Sequence, residues 1–321
     1  MTMPTKYPAP ATGTAQGGGP AKAIWAFDAI GTRWEIETRR LLDGRVRAEI
    51  QDRIERFDLA YSRFRPDSLV SRIAAAQQGG RFVFPEDAAA LFDLYDRLAA
   101  VTGGAIDPLL VGRELELLGY DAAYTLRPVA PAAWPAGPRP VWGRDTVREG
   151  TVLTTGRPVV VDVGAAGKGY LVDLAAALLT ESGIGAFVVA AGGDLRHAGP
   201  QPIRIGLEYP ADPSQVIGVA NLRDRALCAS AVNRRAWGDG LHHILDARTG
   251  IPAAEVVATW VVADDAAHAD ALATALFVTD PRTLGRSFAF DYVRLLDDGR
   301  AEISSRFPGA LFGPEAQEDR S

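Results

Sequence analysis

The segment Val161-Asp162-Val163-Gly164-Ala165-Ala166-Gly167-Lys168-Gly169-Tyr170 runs from an apolar β stretch, through a glycine-rich turn, into a helix predicted from Gly169 to about Leu179. At such a junction the free backbone N–H groups and the positive end of the helix dipole converge on one point, which attracts an anion. The glycines allow a phosphate to approach the backbone closely, and Lys168 adds a full positive charge. Two familiar phosphate loops are excluded by spacing. Only two residues separate Gly164 from Gly167, and Gly169 stands where a Walker A loop needs Ser or Thr. The dinucleotide fingerprint also spaces its glycines differently. A tight strand-to-helix turn with a solvated lysine is the plainer reading of the same residues.

Lys168 is unusual in its own chain. Of 34 basic residues only Lys6, Lys22 and Lys168 are lysines, and the first two precede the sequence expected to be ordered. The 321 residues are 47% hydrophobic and 23% charged, which suits a globular protein with a sizeable core. No run of 18 apolar residues is present, so a membrane span is not expected. One cysteine, Cys228, excludes an internal disulfide framework and a multi-cysteine metal site. A net charge of −6 gives no reason to expect nucleic acid or an anionic membrane as partner.

Working outward, residues 1–22 are rich in Pro, Gly, Thr and Ala without apolar periodicity, and a disordered N-terminal tail is expected there. They show neither the basic start and apolar stretch of a secretory signal nor a cysteine for a lipid anchor, so the expected location is cytoplasmic. Ile24–Ile30 and Arg33–Glu37 alternate like strands around a break at Gly31-Thr32. Helices are predicted at 45–60, with Val46, Ile50, Ile54 and Leu59 on one face, at 85–99 and at 108–118. Five prolines between 127 and 140 mark an exposed connector, taken as 127–148. Beyond it, Pro158–Val163 and Ala186–Val189 read as strands and Ala266–Val278 as a helix. Tyr292–Leu296 and Ala301–Ser304 form a hairpin around Asp297-Asp298-Gly299. This mixture predicts an α+β domain over 23–306 built from two intimately associated subdomains, then a C-terminal tail at 307–321.

Other clusters carry chemistry with alternatives open. Asp270 and Thr274, four apart on an apolar helix, share a face and offer hard oxygen donors of the kind Mg²⁺ prefers. They also suit a helix start and a back-bonded threonine. His242 and His243 are adjacent, so in a strand only one can enter a given site, where a neutral imidazole can act as a base. Asp107, just before Pro108, is either a helix cap or a carboxylate for a nucleobase or ribose. Ala191-Gly192-Gly193-Asp194 is either a turn or a place where backbone meets a ligand closely.

In order along the chain stand Phe27-Asp28-Ala29-Ile30-Gly31-Thr32, Tyr61-Ser62-Arg63-Phe64-Arg65-Pro66-Asp67-Ser68 and Gly104-Ala105-Ile106-Asp107-Pro108. The segment 162–170, Ala191–Asp194, His243–Gly250 and Ala269–Thr274 follow. Together these seven blocks, from residue 24 to about 280, resemble the ApbE family of FAD:protein FMN transferases. The resemblance implies mixed, T-fold-related sheets with packed helices. It implies Mg²⁺-dependent cleavage of FAD, with FMN passing to a Ser or Thr hydroxyl of an acceptor protein and AMP leaving. Hydrolysis of FAD to FMN and AMP, or FAD binding without catalysis, are the alternatives.

By the same resemblance, Ala105, Ile106 and Asp107 would line the adenosine part of FAD, and Ile30 and Phe64 the flavin. Asp162, Lys168 and Ile244 would complete the FAD site. The Ala165 carbonyl with Asp270 and Thr274 would hold Mg²⁺. His243 is the expected base, and Lys168 the residue stabilising charge. The chain departs from the family pattern at Ile30 (usually Met), Phe64 (Tyr), Leu109 (Thr), Ala231 (Gly) and Ala247 (Pro).

Overall fold

The computed structural model describes residues 22–109, 111–120, 139–237, 241–312 and 316–319. The alternation around Ile30-Gly31 is a hairpin of β1 (Ala23–Ala29) and β2 (Thr32–Thr38), in register from Ala23↔Thr38 to Ala29↔Thr32. A two-residue turn of this kind wants positive φ at its central positions. Gly31 supplies it at 73°, and Ile30 is held there at 44°. For a β-branched residue that is a strained conformation.

After the hairpin come α1 (Gly44–Tyr61), α2 (Leu69–Ala75), β3 (Gly80–Val83), α3 (Ala88–Val101) and α4 (Val111–Leu117). Beyond the proline-rich segment lie β4 (Thr146–Glu149), β5 (Val152–Thr155), α5 (Gly167–Glu181), β6 (Phe187–Ala191) and β7 (Asp194–Ala198). Then follow β8 (Ile203–Tyr209), β9 (Asp212–Leu222), β10 (Ala226–Ala231), α6 (Ala266–Ala275) and α7 (Pro281–Gly285). A nine-stranded sheet runs β1-β2-β6-β7-β10, then Val256–Ala263, Asp291–Leu296, Ala301–Ser304 and Ala316–Asp319. All its neighbours are antiparallel except the last pair.

The central strands are covered on both faces, as their unbroken apolar runs demand. Ala226, Cys228, Val261 and Ala263 join the core under the helices, whereas Leu227, Trp260 and Val262 join a second cluster with Leu207, Ala220 and Leu222 of β8 and β9. Those two strands and Gly309–Leu311 make a small sheet of their own. The larger core draws residues from both sides of the proline-rich segment, from Trp34 to Tyr292, so the two sides share one interior.

α5 and α6 meet closely because Gly169 has no side chain. A Cβ there would stand 2.1 Å from the Ala266 oxygen. Asp173 of α5 strengthens the contact by accepting from the Ala266 and Ala267 N–H groups at 2.9 and 2.8 Å, which satisfies two orphan donors at the start of α6.

Several expectations are corrected. Pro158–Val163 is extended, with Val159, Val161 and Val163 buried, but it joins no ladder, and the Asp162 N–H instead donates to the Pro108 carbonyl at 2.8 Å. α5 begins at Gly167, two residues early, so Lys168 lies in its first turn. Leu59 is exposed, because the buried stripe of α1 follows Ile50, Ile54, Phe57 and Tyr61. The helices predicted at 108–118 and 266–278 are shorter at their ends.

The expected connector 127–148 ends in ordered structure. Trp142 is buried and 146–148 belong to β4, while residues 121–138, and so most of its prolines, lie outside the described residues. Most of the predicted N-terminal tail also lies outside them, but Lys22 pairs with Glu37 at 2.5 Å. In the predicted C-terminal tail Phe307 is buried and Gly309–Leu311 pairs with β9. Apolar residues there complete the small sheet.

Candidate functional site

Lys168 forms an ion pair with Asp194, the first residue of β7. The β6–β7 turn delivers this carboxylate. Gly192 has φ 63°, and a Cβ on Gly193 would lie 2.7 Å from the Ala229 oxygen, so both positions need glycine. The Gly192 N–H donates to the Arg33 carbonyl at 3.1 Å, which brings the Ile30 hairpin turn to the same end of the sheet. Asp194 is 1% exposed, and its Oδ1 has no hydrogen-bond partner among the described residues.

Asp270, buried on α6, accepts from the Gly169 N–H at 2.9 Å. Burial, and then the charge of Asp194, push its carboxyl well above the usual carboxylate range, against the opposing pull of Lys168. Desolvation works against the Lys168 charge, but Asp194 and Asp270 more than offset it and hold the ammonium charged. Two buried carboxylates thus face one ammonium, and one oxygen is left without a partner. A hard cation suits that imbalance and that oxygen-donor set. Thr274, one turn beyond Asp270, and the Ala165 carbonyl in the glycine-rich turn are further oxygens of the same character.

At the other side of the turn, Asp162 holds its shape. Its Oδ1 accepts from the Gly164 N–H at 2.7 Å, and its Oδ2 lies 2.8 Å from Arg63 Nε. The Arg63 guanidinium lies 4.2 Å from the Phe64 ring centroid and 5.1 Å from that of Tyr120, and Arg235 approaches Tyr120 at 5.5 Å. Phe64 therefore sits in a cationic, aromatic corner, one face turned to a guanidinium.

Asp107 is buried, and its two oxygens accept from Leu109 N at 2.8 Å and Trp142 N at 2.9 Å. It latches the loop that presents Ala105 and Ile106, both buried. The Ala105 carbonyl takes the Ala247 N–H at 3.0 Å, which joins this loop to the histidine segment. Ile244 packs against Val256 and Phe277, and its N–H and carbonyl are engaged by His242 Nδ1 and Ala253 N.

Of the adjacent histidines, His242 is structural, bonded through Nε2 to the Ala253 carbonyl at 2.8 Å and through Nδ1 to Ile244 N. His243 is only partly buried, yet its Nδ1 is enclosed without a partner among the described residues. Burial and then Arg235 push its imidazole down to about 3, so it is neutral at ordinary pH.

The arrangement brings Asp162, Ala165, Lys168 and Asp270 to one place around the start of α5. It links Asp107 to them through Pro108, and leaves Ile244 in a packing role. Sequence reasoning missed Arg63, Tyr120, Arg235 and the part played by Asp194. Arg63 and Asp194 lay inside quoted blocks, but nothing local distinguishes a buried arginine from a solvated one; Tyr120 and Arg235 carried no signal.

Comparison with known proteins bears on the family and the fold. A family model described as the ApbE family matches residues 30–290. The FAD:protein FMN transferase of Rhodobacter capsulatus is 31% identical over 290 residues, covering 85% of this chain and 55% of that protein, so the chain spans about half of that relative's length. The FAD:protein FMN transferase of Treponema pallidum is 30% identical over 254 residues, covering 72% of this chain and 70% of that protein. Among solved structures, the ApbE protein of Thermotoga maritima superposes with a TM-score of 0.73 at 26% identity, over 89% of this chain and 97% of that one. The Vibrio cholerae flavin transferase ApbE does so with a TM-score of 0.72 at 24% identity, over 89% and 98%, which speaks to the fold alone.

Proposed function

The chain belongs to the ApbE family, and on that premise we propose that it transfers FMN from FAD to a Ser or Thr hydroxyl of an acceptor protein, with Mg²⁺ required and AMP released. A cytoplasmic location goes with this reading. The observation that carries it is the group formed by Lys168 and the buried carboxylates of Asp194 and Asp270 at the start of α5, beside a glycine-rich turn.

Phosphoryl transfer asks a protein for alignment and charge stabilisation more than for covalent chemistry. The turn's N–H groups and Lys168 bind the diphosphate, while Asp162 keeps Gly164 in place. Asp270, Thr274 and the Ala165 carbonyl hold Mg²⁺, which when bound neutralises diphosphate charge. Ala105 and Ile106, on the loop fixed by Asp107, receive the adenosine end. Ile30 and Phe64 receive the flavin, and Ile244 supports the floor.

His243 accepts the proton of the acceptor hydroxyl as the new O–P bond forms and the bond from phosphorus to the AMP oxygen breaks. The proton then passes to solvent. His243 suits this role because it is neutral and because, unlike His242, it has an enclosed nitrogen without a partner.

The test incubates the purified chain with FAD and an acceptor protein carrying a Ser/Thr flavinylation motif, and follows AMP by chromatography. AMP release that needs Mg²⁺ and stops in EDTA is expected. FAD recovered intact under all conditions would refute the reading.

A further inference from the structure

Arg63 is enclosed more fully than its contacts satisfy. Its side chain is 6% exposed, with Nε 2.8 Å from Asp162 Oδ2 and Nη1 3.5 Å from Glu116. The Asp162 contact is an ion pair without hydrogen-bond geometry, so Nε and Nη2 are both buried with no hydrogen-bond partner among the described residues. A buried guanidinium with an unused N–H edge is costly unless another group completes its bonding. Its face is fixed as well as its edge, lying 4.2 Å from the Phe64 centroid and 5.1 Å from that of Tyr120. A planar group held on one edge and on one face can offer its remaining donors only in one direction.

We propose that Arg63 is a positioning residue for the FMN half of FAD, donating from Nη2 to an oxygen acceptor of that half while Asp162 and Phe64 hold its plane. The inference rests on the flavin-transfer reading and adds to it a residue outside the expected set. Contact with Phe64 puts Arg63 at the flavin end, not with Ala105 and Ile106 at the adenosine end.

The test measures dissociation constants of FAD, FMN and ADP for the wild type, Arg63→Lys and Arg63→Gln by calorimetry, with melting curves alongside. Lysine keeps a charge for Asp162 but loses the planar second donor and the stacking face. FAD and FMN affinity should fall roughly tenfold or more in both variants, as expected for one charge-assisted hydrogen bond, with ADP affinity unchanged within about twofold. The ratio of FMN to ADP affinity in one sample does not depend on the fraction folded, so a destabilised variant still reports. Unchanged FMN and FAD affinity would overturn the proposal. So would a parallel loss of ADP affinity, which would mean that Arg63 only supports Asp162 and its turn. A wild type that binds ADP but neither FAD nor FMN would instead overturn the flavin-transfer reading, and this inference with it.

Discussion

Gly169 donates its backbone N–H to the buried carboxylate of Asp270 across 2.9 Å, tying the first turn of α5 to the side of α6. The same glycine permits the helices to touch. In Gly169→Ala the new Cβ would stand 2.1 Å from the Ala266 oxygen and 2.7 Å from Asp270 Cβ, both rigidly placed. We expect a loss of about 2 kcal/mol or more in urea unfolding, from overpacking against backbone, and a matching loss of FAD cleavage as Lys168 and Asp270 separate. Wild-type stability in this variant would contradict the packing described.

Asp270→Asn keeps an acceptor for Gly169 but removes one of two buried like charges. Its melting temperature without metal should be no lower than that of the wild type, while FAD cleavage falls by roughly 100-fold or more, the scale of losing a key electrostatic group. Mg²⁺ should raise the wild-type melting temperature by preferential binding to the folded state and leave that of the variant unmoved. Equal Mg²⁺ stabilisation of both would place the ion elsewhere.

Ile30 stands at φ 44° in a turn that suits Asn or Gly. A strained side chain at such a position is retained for what it touches. Ile30→Asn should therefore stabilise the fold by about 1 kcal/mol, since left-handed backbone suits asparagine far better than a β-branched residue, and still raise the KM for FAD. A variant that is stabilised without any change in KM would remove Ile30 from the flavin site.

His243 should remain neutral well into acid. Its folded value, about 3, lies below the ordinary histidine value, so its contribution to stability is present above about pH 6.5 and is lost as pH falls. NMR of its ring protons should show no titration between pH 5 and 8 in the free protein; a midpoint above 5 would contradict the enclosure described. The diphosphate's negative charge would raise its basicity once substrate binds. His243→Ala should lower acceptor labelling by roughly 10²- to 10⁴-fold, the usual range for a general base.

Much of this was legible in the chain. The two strands on either side of Gly31, the helix that follows the glycine-rich turn, a strand through Phe187–Val189 and the closing hairpin of Tyr292–Leu296 with Ala301–Ser304 follow local patterns that the tertiary structure respects. Pro158–Val163 misled because alternating burial requires only an extended chain, not a strand partner. Leu59 misled because periodicity fixes spacing but not which stripe faces inward. In the site, Lys168 and Asp270 were visible as residue types in motifs. Their mutual arrangement was not, since Asp194 arrives from a turn 26 residues beyond Lys168. Asp107, too, declares its latch role only through Trp142, 35 residues away.

Lys168 proved to be paired with a buried carboxylate, and that charge-poised group underlies the proposed transfer. The most direct measurement is intact mass spectrometry of a candidate acceptor carrying a Ser/Thr flavinylation motif, incubated with the protein, FAD and Mg²⁺. A mass gain of one FMN on the acceptor, with an equal amount of AMP, is the predicted result. An unmodified acceptor would contradict the account, whether the FAD is recovered intact or is cleaved only to free FMN and AMP.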